Sequence, residues 1–398
     1  MPEPENSSPM TETDPFLATT LATMLAQTAT VAELVAYRGV LTPRELDAAE
    51  RETAALVSGA AVHDLGWLRR MAVRGEDRFR WLSGMVTNTV NELGTNAGAW
   101  NLVLNAQGRI QGDLHVWRER EEDALELEIA ADQYDRLLAH LERFIIMDDV
   151  ELAPLSEESA LGITGPLAAG VLERLGLSAL AEPMTSARAT WNGKQVLVIR
   201  GYGALVPHYE LWVWTAEIPA LWKALKEAGA SPAGAAMLEA FRIAEGIPAY
   251  GIDIAERDLP QEVEQLAPPQ EEQMRALSFN KGCYLGQEIV ERIRSRGSVH
   301  RHLRQLELSG PVPATGTELT MDGGAVAGAI TSAAELPLRA GSRVFALGMM
   351  RSEAERGNHI FNYTAGTVTG RAGILGAPPA LAELISQNNE QESENHER

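Results

Sequence analysis

Twice in succession the hydrophobic pattern of this chain runs strand, helix, strands, helix. That order requires a mixed architecture, with sheets covered by helices, and it suggests two related α+β lobes. In the first run, 61–65 and 70–75 read as strands, 76–83 as a helix with Phe79 and Leu82 inward, and 100–105 and 112–117 as strands around the turn Ala106-Gln107-Gly108. Residues 125–129 alternate strictly, as a strand does, and 134–144 follow as a helix. The second run places strands at 161–163, 195–200 and 209–214, and helices at 166–175 and 216–226. After about residue 300, four short Gly-punctuated strands (303–308, 318–321, 325–331 and 344–349) fit a small β-barrel. Ahead of the first run, 15–36 reads as one or two helices. Thr42-Pro43 resembles a helix start, with Thr as cap and Pro at the first helical position.

The expected organisation is therefore an acidic tail and helical segment over 1–54, a first lobe over 55–150, and a second over 151–298. A barrel over 299–372 and an acidic, largely disordered tail over 373–398 complete it. The 398 residues carry 34 Lys and Arg against 55 Asp and Glu, a net charge of −21. Residues 1–37 hold five acidic residues and no basic one, and 381–398 hold five Glu against one Arg, so the ends supply much of that charge. Residues 1–14 and 386–398 read as disordered. The acidic balance disfavours nucleic acid and anionic membranes, and no apolar run is long enough to span a bilayer. The basic-poor N-terminus resembles neither a signal nor a transit peptide, so a cytoplasmic location is expected. A single cysteine, Cys283, excludes an intramolecular disulfide and a full cysteine cage for zinc or an iron–sulfur cluster.

Phosphate loops are absent, and no His, Asp or Glu cluster has metal-ligand spacing. His300 and His302 fit a solvated strand face better than a metal pair, because a third ligand is missing. His63-Asp64 fits a structural turn better than part of a triad. The informative run is Lys281-Gly282-Cys283-Tyr284-Leu285-Gly286-Gln287-Glu288. Leu285, Ile289 and Ile293 recur every four residues, so a helix is expected from about Tyr284, with Glu288 and Arg292 paired on it. Gly282 and Gly286 permit close backbone approach. Cys283 would then sit at the positive end of a helix beside Lys281, which favours the thiolate. A buried, inert thiol is the alternative, and the local chemistry leaves both open. Residues 281–304 hold six basic residues against two acidic ones. A confined basic strip suits an anionic small molecule, or else a set of ion pairs.

The octamer at 281–288 resembles the signature of the YgfZ-type folate-binding proteins, relatives of the glycine-cleavage T-protein (aminomethyltransferase). Phe241 to Ile254, Val86-Thr87-Asn88, Leu104 to Ile110 and Gly328 to Ala333 resemble further motifs of that family in the same order. The resemblance covers about residues 55–370. It implies an α+β, three-domain ring, two related lobes plus a C-terminal β-barrel, around an opening that binds tetrahydrofolate or a one-carbon derivative. By the same resemblance Glu210 matches the pterin-binding glutamate, Arg242 a folate-binding arginine, and Asp113 the aspartate near the reactive folate nitrogen. Trp100 and Trp117 stand where the transferase has tyrosines, and Gly112 where it often has an acid.

The function this implies is that of a tetrahydrofolate-binding accessory protein supporting iron–sulfur cluster assembly or repair. Cys283 would be the essential thiol and Lys281 would tune it. The alternative is a folate-dependent aminomethyltransferase or methyltransferase with Asp113 as its key acid. A plain binding module with an inert Cys283 is a third reading. Expected partners are a folate and iron–sulfur target or assembly proteins; no nucleic acid, membrane or metal is expected, and the chain is expected to be a monomer.

Overall fold

The computed structural model describes residues 17–27, 33–119, 124–263, 276–339, 341–356 and 360–385. The tails expected to be disordered, 1–14 and 386–398, lie outside the described residues. The strands are β1 (Leu34–Tyr37), β2 (Val40–Pro43), β3 (Ala61–Asp64), β4 (Leu68–Arg74), β5 (Ala97–Leu104), β6 (Ile110–Arg118), β7 (Leu125–Ala130), β8 (Glu151–Pro154) and β9 (Glu158–Thr164). They continue with β10 (Thr185–Trp191), β11 (Lys194–Arg200), β12 (His208–Trp214), β13 (Ser231–Pro232), β14 (Arg301–Ser309), β15 (Glu318–Thr320), β16 (Val326–Leu336), β17 (Arg343–Arg351), β18 (Ile360–Ala365) and β19 (Val368–Ile374).

Among the described residues, β3 to β13 form one eleven-stranded sheet in the order β13-β3-β9-β12-β11-β10-β5-β6-β7-β4-β8. The half β5-β6-β7-β4-β8 joins the other half through β5 and β10, whose single registered pair is Ala97 with Thr185, while β3, from the first run, crosses over to pair with β9 of the second. A sheet this wide curls under its own twist. Here β4 comes to touch β9 across the curl. Trp117 on β6 packs in one cluster with Ala160, Leu197, Ile199 and Trp212 from the other half. The inner faces of the two halves therefore meet. The outer faces are covered by helices. Val198, Leu211 and Val213 pack on Ile218–Glu227, and Leu125, Leu127 and Ile129 pack with Leu137 and Leu141 of Ala131–Glu142. The fold class is mixed α+β with a closed six-stranded barrel, β14-β17-β16-β15-β18-β19, as expected. The barrel leans on the helix Ala235–Ala244, and Gln305 Nε2 donates to the Ile243 and Ala244 carbonyls at 3.0 and 2.7 Å.

Several local expectations are corrected. Among the described residues of 15–36 there is one short helix, Thr20–Ala26, and then the start of β1. Thr42 caps no helix. It lies in β2, its hydroxyl donates to Asp64 Oδ2 at 2.7 Å, and the next helix starts at Ala49. His63 and Asp64 are a buried strand, not a turn. The alternation of β7 does not mark a solvent-facing side, because Glu126 and Glu128 are buried on the inner face. Strand β10 was not anticipated; its outward alternation of Ala, Arg and Thr is too polar to stand out. The barrel has two more strands than expected, β18 and β19. No helix among the described residues is long and apolar enough to cross a membrane.

The octamer is anchored to the first half of the sheet by backbone interlock. Its helix starts at Gln287 rather than near Tyr284, with Gly286 before it at φ +84°. A Cβ on Gly286 would lie 2.6 Å from the Asn105 carbonyl and 3.1 Å from Gly108 Cα. Only glycine tolerates both that φ and that contact. Gly282, in contrast, faces open space. Gly286→Ala is expected to lower unfolding stability by about 1–3 kcal/mol in urea titration, whereas Gly282→Ala should change it little.

Candidate functional site

The inner face of the curled sheet encloses a cavity of about 290 Å³. That is near the lower end of small-ligand pockets, enough for a bicyclic head group. Five of the seven residues singled out from the sequence line it: Trp100, Asp113, Trp117, Glu210 and Arg242. Strand alternation explains the first set. Asp113, His115 and Trp117 are two residues apart on β6 and share its inward face. Asp113 is held from both sides: Trp100 Nε1 donates to its Oδ2 at 3.1 Å, and Gln133 Nε2 donates to its Oδ1 at 2.7 Å. Trp117 is fully buried, lies against Gly98, and its indole N–H has no acceptor among the described residues.

Glu210 lies on β12, buried, with Trp212 Nε1 donating to its Oε2 at 2.8 Å and His208 Nε2 3.8 Å from its Oε1. Across the curl it makes a side-chain contact with Glu128 of β7, five strands away in sheet order. Burial acts to raise both carboxyls. For Glu128 the Glu210 charge adds to burial and pushes it up to about 7. For Glu210 the contacts with His208, Glu128 and Trp212 outweigh burial and hold it low. His115 Nδ1 sits 3.2 Å from Glu128 Oε1. His63 Nε2 and His208 Nδ1 both reach the Thr164 hydroxyl, at 2.9 and 2.8 Å, and the two imidazoles stack at 5.8 Å. Burial and then His208 push His63 down to about 3, so it is neutral.

Arg242 is positioned at the cavity wall by the helix Ala235–Ala244. Its Nε donates to Glu239 at 2.7 Å, and its Nη1 donates to Asp253 Oδ2 at 2.7 Å and the Ile247 carbonyl at 2.9 Å. Four of its five hydrogens are thereby committed, counting the further bond to Glu239.

Lys281 and Cys283 lie outside this cavity's lining. The Lys281 ammonium is buried and donates to the carbonyls of Ser83, Val86 and Asn88 at 2.8, 2.6 and 2.7 Å. Those three bonds use all its hydrogens. Lys281 is therefore a staple between the octamer and the end of the helix Arg78–Met85, not a group directed at the thiol. Cys283 is exposed, which removes the buried-thiol alternative, and it precedes the helix by more than its first turn. The charge expected at its helix end falls off within that turn.

The basic strip resolves into ion pairs. Arg301 binds Asp258 and Glu262 at 2.7 and 2.9 Å, Arg304 binds Glu355 at 2.8 Å, and Arg294 lies 3.5 Å from Glu291. With Lys281, four of the six cations are committed, and the last pair replaces the one expected between Glu288 and Arg292. His302 turns to Glu355 and Ser352, and no group of three or more possible metal ligands occurs among the described residues.

His115, Glu128, Thr164 and His208 line the cavity without having been singled out from the sequence, and His63, expected in a structural turn, joins them. Their signal was weak: His115 sits two residues from Asp113, and Glu128 sits on an alternating strand.

This curled sheet with a β-barrel is a shared architecture. A family model for the GCVT N-terminal domain matches residues 23–265, more than half the chain, and the chain belongs to that family. An aminomethyltransferase of Rubrobacter xylanophilus is 28% identical over 335 residues, covering 82% of this chain and 85% of that protein. A putative chloroplastic transferase of Arabidopsis thaliana is 26% identical over 301 residues, covering 75% of this chain and 66% of that protein. The glycine cleavage system aminomethyltransferase T from Bartonella henselae shares the fold, with a TM-score of 0.77 at 19% identity, over 90% of this chain and 96% of that one.

If Lys281 is a staple, Lys281→Met should lower stability by about 2–4 kcal/mol, since buried carbonyls lose their donor. The alkylation rate of Cys283 in the folded protein should stay unchanged. A slowed thiol with unchanged stability would restore the tuning role.

Proposed function

We propose that this protein binds a tetrahydrofolate by its pterin head in the cavity inside the curled sheet. The observation that carries this reading is Glu210, a buried carboxylate held low and lining that cavity. A carboxylate accepts two parallel N–H bonds from the aminopyrimidine edge of a pterin. Trp100 and Trp117 supply aromatic surface, and the Trp117 N–H supplies a free donor. Asp113, fixed by Trp100 and Gln133, stands on the same wall. Arg242 shapes the wall through Glu239 and Asp253, and one N–H remains for a ligand. The names of the relatives support a folate-linked reading, because they are aminomethyltransferases. Isothermal titration with tetrahydrofolate should show one site per chain. Glu210→Gln should weaken it about ten- to hundredfold. Absence of binding by the wild-type protein would remove the reading.

We further propose that the bound folate serves an accessory role in iron–sulfur cluster assembly or repair, with Cys283 as the working thiol. Its exposure supports this, since a surface thiol outside the cavity suits contact with another macromolecule. Cys283→Ala should leave folate affinity unchanged and abolish rescue of cluster-enzyme activity in cells lacking the protein. Full rescue by that variant would overturn the role.

The second reading, aminomethyl transfer, is favoured by the placement of Asp113 in the cavity. In that case purified protein should turn over an aminomethyl-lipoyl carrier with tetrahydrofolate, and Asp113→Asn should stop it.

A further inference from the structure

Glu128 and Glu210 reach each other from β7 and β12 with both side chains buried. Two carboxylates in hydrogen-bond contact repel unless a proton lies between them. The environments of the two groups differ. Glu210 receives the Trp212 N–H and faces His208, both of which favour its anion. Glu128 faces only His115 Nδ1 through Oε1, and its Oε2 meets no donor among the described residues. The geometry thus assigns the anion to Glu210 and the shared proton to Glu128. Behind Glu210, the Thr164 hydroxyl links His63 Nε2 and His208 Nδ1, and His208 Nε2 faces Glu210. Among the described residues, the one other group placed to hold the Glu128 proton is His115, whose Nδ1 lies 3.2 Å from Glu128 Oε1; burial lowers its pKa, but the Glu128 contact raises it overall.

The remaining charged groups around the pair are spent elsewhere. On β4, Arg70 lies against Glu119, Glu126 and Glu158. On β6, Asp113 is held by Trp100 and Gln133. At the helix Ala235–Ala244, Arg242 is bound to Glu239 and Asp253. Glu245 accepts the Leu205 N–H at 3.0 Å, and burial pushes it up to about 7 as well. Glu245 and His115, the latter raised by its Glu128 contact against the pull of burial, are therefore the groups that could imitate Glu128 in a pH profile.

We propose that Glu128 is a specificity-determining residue: it keeps its proton when the ligand binds and donates it to a ring carbonyl, while Glu210 accepts the adjacent N–H groups. The proposal rests on the pterin reading above. It names the ligand class as a 2-amino-4-oxo heterocycle, whose edge offers two donors and one acceptor. A 2,4-diamino ring would set an N–H against the Glu128 O–H, and a mismatched buried donor is strongly rejected. No covalent bond changes; the hydrogen bond from Glu128 turns from Glu210 to the carbonyl.

The test is calorimetric titration of the full chain with tetrahydrofolate and with tetrahydroaminopterin, its 2,4-diamino counterpart, between about pH 5.5 and 8.5. The group titrates upward of its ordinary value, so its proton is present at low pH and lost as pH rises. Tetrahydrofolate affinity should accordingly fall above neutrality by up to about tenfold per pH unit, and its preference over the diamino ligand should narrow. Glu128→Gln keeps a donor that does not titrate; it should retain affinity within a few fold and lose the slope. Glu128→Leu should weaken tetrahydrofolate about ten- to hundredfold. Glu245→Gln and His115→Gln should each keep the slope. A flat wild-type profile, an unchanged slope in Glu128→Gln, or a slope lost in Glu245→Gln or His115→Gln would overturn the proposal. Binding of neither ligand would instead overturn the folate reading beneath it.

Discussion

A sheet that curls on itself can hold carboxylates on its inner face only if cations and protons are buried with them. Here the inner face carries Glu119, Glu126, Glu128 and Glu210, all nearly inaccessible to water. Arg70, itself buried, lies against Glu119, Glu126 and Glu158 and stacks over the Trp212 ring at 5.3 Å. Arg188 adds contacts to Glu119 and Glu126 at 3.6 and 3.4 Å. These residues come from strands on both sides of the curl. Removing one partner of such a set leaves an uncompensated buried charge, which is worth more than the pair's own net stabilisation. The ion cluster therefore fixes how the two halves face each other. The cavity, with Glu128 and Glu210 at its wall, exists only in that arrangement.

The octamer is held in place from both ends. Lys281 ties it to three carbonyls at the end of one helix, and Gly286 presses into the turn at Asn105 to Gly108. Tyr284 is buried beneath, with the Lys281 ammonium 5.2 Å from its ring. The lysine beside the cysteine anchors the segment, and the Cys283 thiol is left exposed between the fixed points.

Much of the architecture was legible in the chain. Strands β3 to β7, β9, β11 and β12 announce themselves by apolar runs between turn residues, and the helices by their four-residue recurrence. The failures have common physical causes. Thr42-Pro43 has the composition of a helix start, but strand pairing with Val35 and the buried Asp64 took the threonine instead. Strands β18 and β19 carry too few apolar residues to be seen without their barrel neighbours. The basic strip was countable in the sequence, yet its acids, Asp258, Glu262 and Glu355, come from elsewhere along the chain. The site was half legible: the resemblance marked Asp113, Glu210, Arg242 and two tryptophans, and all five line one cavity.

By itself the sequence determined the mixed α+β class, the doubled order of elements, the Gly-rich barrel and the identity of the sole thiol. These depend on local periodicity and on residue types, which a linear chain displays directly. Only the tertiary structure decided which face of an alternating strand meets water. On β7 it turned Glu128 inward to meet Glu210, five strands away. Protonation, ion pairing and exposure depend on distances through space between segments remote in the chain, and no pattern of neighbours along the sequence carries that information.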